Sequence, residues 1–159
     1  MAWTASRIFV AYIVDIFGNT TEIDLPATVV NVALFTDAIT PSHIVTSANS
    51  AYAAGVWAAN EVTDATGWPA GGNAVEDTVT DNTAVTFMYD ATDLASVDAH
   101  TTLADVHGCL VYAGGIAAPV ADQGMCYNWF GGHQEVTAGT FTIVWNASGI
   151  FSIATGAVP

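Results

Sequence analysis

The sequence predicts a mainly β fold, an antiparallel β-sandwich or barrel-like domain with one helix at about residues 47–60. Three observations lead there. Apolar and polar residues alternate with period two along much of the chain, as in strands with one buried face. About seven such segments are short and separated by turn signals rich in Gly, Asn and Asp. One stretch, SANSAYAAGVWAANEV, instead spaces Tyr52, Val56 and Ala59 at helical intervals. At 159 residues the chain reads as a single domain, 1–159, long enough to bury roughly two-thirds of its unfolded surface.

An apolar segment over 7–17, RIFVAYIVDIF, runs to the turn pair Gly18-Asn19, and Pro26 breaks the stretch that follows. VVNVALFTD (29–37) is a strand with Val30, Val32, Leu34 and Thr36 on one side, and a loop forms around Pro41. The helix takes Thr46 or Ser47 as its N-cap, with Gly55 as its weak point at a cost near 1 kcal/mol relative to Ala. TDATGWPAGGNA (63–74) is a long loop. Further strands are expected over 74–80, 84–91, 107–114, 124–131, 141–146 and 150–155. Turns at Asp81-Asn82, Gly114-Gly115, Gly131-Gly132, Ala138-Gly139 and Ser148-Gly149 separate them, and SVDAHTTLADV is a helical turn or a loop.

Charge excludes whole classes of partner. Fifteen acidic residues stand against one basic residue, Arg7, for a net charge of −14. No surface on this chain can neutralise phosphates, so nucleic acid and anionic membranes are not expected partners. The apolar run IFVAYIV is broken by Asp15 and far shorter than the ~20 residues of a membrane span. MAWTASR lacks the layout of a secretory leader, which leads us to expect a soluble protein that is not exported by a cleaved leader. Only 10% of residues are charged, leaving a surface of Thr, Asn, Ser, Ala and Gly. Such side chains lose little entropy on contact, which suits permanent burial against a partner or a solvated β-surface.

The densest candidate chemistry is a pair of Cys and His residues. His107 and Cys109 lie two apart in HGC, and Cys126 and His133 bracket YNWFGG. Structural zinc favours C-x₂₋₄-C pairs, and neither H-x-C nor C-x₆-H is one. A nucleophilic thiol needs positive charge or a helix N-terminus, both scarce here. The two cysteines therefore read as small buried hydrophobes on adjacent strands, with a disulfide, or a cross-strand zinc site in which His107 and Cys109 share a face and meet Cys126, as the alternatives. Asp90 and Asp93 in YDATD, Glu76, Asp77 and Asp122 read as solvated turn residues, since D-x-x-D is a poor calcium loop. GWPAGG lacks the Lys-Ser/Thr of a phosphate loop. The triplets Asn19-Thr20-Thr21 and Asn146-Ala147-Ser148 carry weight only in a secreted eukaryotic protein. No catalytic, cofactor or metal site is expected. Trp57, Trp68, Trp129 and Trp145 read mostly as core, with a subset as interface anchors because Trp is enriched at interfaces.

The order NVALFTDAITP, NEVTDATGWPAGGNAV, VTFMYDATD, LADVHGCLVYAGG and GTFTIVWNASGIFSIA resembles a family of small virion proteins of tailed bacteriophages, many infecting high-GC actinobacteria. The resemblance spans about residues 29–153 and departs from the family pattern at Trp68-Pro69, where Tyr-Thr is common. It implies a non-enzymatic virion protein, best read as a capsid decoration (cement) protein that binds outside the shell. Its partners would be the major capsid protein and copies of itself, a trimer favoured. A minor tail or head–tail joining protein is the first alternative, and a carbohydrate-binding β-module stacking sugars on Trp68 and Trp129 is the second. The interface candidates are Trp57, Trp68, Pro69 and Trp129. The resemblance also makes Gly131-Gly132 a strand exit, puts His133 in the connecting turn, and sets Cys126 in a core-facing row near Cys109.

Overall fold

The alternation that begins at Val30 becomes the middle of a sheet. The structure, a computed structural model, describes residues 3–76, 78–83 and 86–154. Asp77 and the expected strand ends at 84–85 and 155 lie outside the described residues. In chain order the elements are β1 (Arg7–Ile8), α1 (Val10–Phe17), β2 (Val30–Phe35), α2 (Ser47–Ser50), a 3₁₀ turn (Gly55–Ala58), β3 (Glu61–Val62), β4 (Asn73–Ala74), β5 (Val79–Thr83), β6 (Thr86–Asp90), β7 (Leu94–Ala95), β8 (Thr101–Ala113), β9 (Gly124–Gly139), β10 (Thr142–Ile143) and β11 (Phe151–Ala154). The fold is mainly β and sandwich-like, and its strand pairings are antiparallel.

The largest sheet runs β1-β9-β8-β2-β3, with β4 also on the outer side of β2. Val32 faces Val111 and Leu34 faces Cys109 across the β2–β8 ladder. A three-stranded sheet, β11-β6-β5, and the pair β10-β7 complete the sheets. All three send side chains into one core: Val32 and Leu110, Tyr89 and Phe151, Leu94 and Ile143 are buried there together.

Two regions differ from expectation. The longer helix is α1, inside the apolar segment 7–17, whose period is ambiguous because apolar residues fill every face. Residues 47–60 hold only one turn of α-helix and a 3₁₀ turn. Thr46 does cap the first turn, its hydroxyl accepting the Asn49 N–H at 3.4 Å. The helix then stops because Tyr52 and Trp57 have different destinations. Five residues apart, they would point about 140° away from each other on a continuous helix. Here Tyr52 stacks on Tyr112, and Trp57 enters a ring cluster with Trp3, Phe9, Phe35 and Tyr127. Ala53 and Gly55 in the left-handed region reorient the chain between them.

The β8–β9 pair is longer than its sequence segments suggested, and Asp81-Asn82, expected as a turn, lies within β5. Gly131-Gly132 is not a strand exit, and His133 is not in a turn: β9 continues to Gly139. The register explains the glycines. Val106 pairs with Gln134 and Gly108 with Trp129, so residues 130–133 stand opposite the single residue His107. That bulge needs a residue tolerant of positive φ, which Gly131 supplies at +81°. It also swings His133 back over His107, ring on ring at 5.7 Å.

Candidate interaction surface

α1 carries Val10, Val14 and Phe17 at i, i+4 and i+7, a single helical face. All three are exposed, Phe17 at 83%. The opposite face is anchored. Tyr12 is buried, and Asp15 Oδ2 accepts hydrogen bonds from Ser47 Oγ and Gln123 Nε2, both at 2.6 Å. Gln123 is itself fully buried, so the clasp ties α1 to α2 and to the start of β9. The Val10 N–H donates to the His43 carbonyl, which sets the exposed Ile44 next to the start of the helix. An eight-residue helix is marginal alone, so this apolar face is held outward by tertiary contacts. Scattered exposed apolar residues are ordinary; three on one helix face make this the candidate contact surface.

The interface candidates divide. Trp57 and Trp68 are core residues, at 2% and 0% exposure. Trp68 packs edge-on against Phe141 and its Nε1 donates to the Val32 carbonyl at 3.1 Å. Neither indole has surface to offer a sugar or a partner. Pro69 is half-exposed beside it. Trp129 is half-buried and lines an open cleft of about 420 Å³ with Trp145, Phe130, Asn128, Gln134 and Asn146. Its Nε1 is buried with no hydrogen-bond partner among the described residues.

Cys109 and Cys126 are free and buried. Burial pushes the Cys109 thiol up to about 12, and burial followed by the neighbouring Cys109 raises Cys126 well above its ordinary range. Both stay protonated at neutral pH, so neither is poised as a nucleophile. Their place in the core matches the small-hydrophobe reading.

The segment NEVTDATGWPAGGNA is a fastening. Asp64 Oδ1 accepts the Thr66 and Gly67 N–H groups at 3.0 and 2.9 Å, and Oδ2 accepts the Thr102 N–H at 3.0 Å. These N–H donors, Thr102 first, hold its carboxyl well below the usual carboxylate range. Glu61 accepts from the Gly71 N–H and the Tyr52 hydroxyl, each at 2.8 Å, and the Tyr112 hydroxyl donates to the Gly71 carbonyl at 2.7 Å. In YDATD, Asp93 accepts the Trp145 N–H at 3.0 Å and the Thr92 carbonyl accepts Trp145 Nε1 at 3.1 Å. Asp122 accepts the Gly115 N–H at 3.0 Å, in keeping with a turn role, and the Glu76 main-chain carbonyl accepts from Thr92.

Sequence reasoning missed the α1 face. The i, i+4, i+7 spacing of Val10, Val14 and Phe17 was its signal, masked by the apolar residues between them. Comparison with models of known protein families, with curated proteins and with solved structures returns no match.

Proposed function

We infer that the chain is a non-enzymatic structural protein of a tailed-phage virion, a decoration protein seated on the outside of the capsid shell through the apolar face of α1. The observation that carries this is Val10, Val14 and Phe17 displayed on a clasped helix of an acidic, lysine-free domain. Burying that face on neighbouring capsomers adds interface area available only in the assembled shell, so mass action favours assembly. The acidic coat has no affinity for the packaged nucleic acid. The ordered segments that resemble the virion family support the same reading, including its trimer.

Quantitative mass spectrometry of purified particles tests location. A copy number comparable to that of the major capsid protein is expected; a handful of copies per particle would favour a tail or neck position, and absence would overturn the reading. Phe17→Asp tests the surface. It is expected to weaken binding to shells lacking the protein by about 2 kcal/mol, roughly 30-fold. Thermal stability should move by less than about 2 °C, because Phe17 supports nothing in the core. Unchanged shell affinity would remove α1 from the interface.

The Trp129 cleft favours a second reading, a carbohydrate-binding module. The Trp129 ring and the side-chain amides of Asn128, Gln134 and Asn146 around the cleft offer a stacking face and hydrogen-bonding groups for a sugar. Glycan-array binding that Trp129→Ala abolishes would establish it, and an array with no binding would remove it.

A further inference from the structure

Where β8 bulges, three potential metal ligands converge from segments far apart in sequence. One ligand atom from each of Asp37, Asp105 and His107 lies within 4.8 Å of the other two. The register produces this. Phe35 pairs with Gly108, so continuing that antiparallel ladder past the end of β2 brings Asp37 level with residue 106, between Asp105 and His107. Register shifts on both sides of Val106, and a left-handed Asp105 at φ +59°, turn the two flanking side chains toward the same place.

His107 points to a ligand independently of the carboxylates. Its side chain is nine-tenths buried at 10% exposure. Its Nδ1 lies 3.3 Å from the Asp105 carbonyl oxygen and 3.4 Å from Asp105 Oδ1. A proton on Nδ1 satisfies that contact, so Nε2 presents a lone pair. Nε2 makes no hydrogen bond among the described residues and faces Asp37 Oδ2 at 4.0 Å, too far for one. Two ligands each about 2.0–2.2 Å from a shared ion can span such a gap. An imidazole that gives its other N–H to a main-chain carbonyl has the usual outer partner of a metal-bound histidine. His133, stacked on His107, accepts the Asp105 N–H on its Nε2 at 3.2 Å and so props the bulge rather than offering that nitrogen as a ligand.

We propose that Asp37, Asp105 and His107 form a binding site for a divalent transition ion of the Zn²⁺ class, which cross-links the loop after β2 to the β8 bulge. One imidazole and two carboxylates suit a borderline ion, and open coordination positions go to water. The net charge of −14 raises the local concentration of any cation. Because the ligands belong to separate segments, the ion binds the folded chain and stabilises it by mass action.

The test is titration of Zn²⁺ into the metal-free full chain, followed by calorimetry and by the histidine ¹⁵N spectrum. Saturable binding at one ion per chain is expected, with the largest shift at His107 Nε2. Asp37→Ala, at a side chain 43% exposed, should leave the fold intact and weaken binding at least ~10-fold. Asp24→Ala, which removes an exposed carboxylate outside the cluster, should change it less than ~2-fold and so controls for net charge. His107→Ala is expected to abolish binding; if it fails to fold, Asp37→Ala still decides. Equal loss in both aspartate variants, an unmoved His107 signal, or no saturable binding would each overturn the site.

Discussion

Trp57→Ala is expected to cost about 3–5 kcal/mol of stability. Its indole stands among Trp3, Phe9, Phe35 and Tyr127 at ring-centre distances of 5.8, 6.2, 5.1 and 6.0 Å. Those four rings come from the N-terminal segment, the residue before α1, β2 and β9, so the 3₁₀ turn delivers one side chain that holds them all. Removing it forfeits the buried area, the edge-on ring contacts and the packing around the void. For a chain of this length the loss corresponds to a drop of roughly 10 °C in melting temperature. Thermal unfolding followed by circular dichroism checks it. A change below about 2 °C would return Trp57 to the surface role its residue type suggests.

Gly72→Ala is expected to cost at least about 2 kcal/mol, combining left-handed strain with overlap. Gly72 sits at φ +78°, and a Cβ there would overlap the Val32 carbonyl group. That carbonyl is in the central strand β2 and already accepts the Trp68 indole N–H, so it cannot retreat without disturbing two elements. Gly115 provides the comparison. It has nearly the same φ, +77°, yet a Cβ added there meets nothing within 4 Å. Gly115→Ala should cost only the conformational part, about 1 kcal/mol. Chemical denaturation of both variants separates the two contributions, and equal losses would refute the close-approach account.

How much the sequence revealed depends on how local each cause is. Val30 to Phe35, Thr86 to Asp90 and Phe151 to Ala154 are strands where short β-branched and aromatic runs bounded by turn signals say so, a feature each segment carries within itself. The helix expected over 47–60 breaks into two short turns because its residues answer to distant partners. Tyr52 is claimed by Tyr112 and Trp57 by the N-terminal rings, and no local propensity encodes those claims. Gly131-Gly132 looked like a strand end since glycine pairs usually are; that they absorb an excess of β9 over β8 depends on a register set elsewhere. Among candidate ligands, HGC drew attention to Cys109 and away from Asp105, two residues before His107. Asp37 lies 68 positions earlier than Asp105 and joins it only through the β2–β8 register, which single-residue spacing does not carry. The two thiols, chemically the most conspicuous groups, are the ones burial silences.

The order of strands in the large sheet also sets the order of assembly. Its central ladder joins residues 30–35 to 108–113, and its edge joins Arg7 and Ile8 to Tyr127 and Cys126. Among the described residues, neither strand of the first third of the chain finds its main sheet partner until the last third has been made. During synthesis β2, almost wholly apolar in the finished core, must wait while the intervening loops and strands emerge. Such long-range closure puts the chain among the slower-folding topologies. The short strands β3 and β4, which flank β2 from nearby in sequence, are the partners that can shelter one of its edges in the interval.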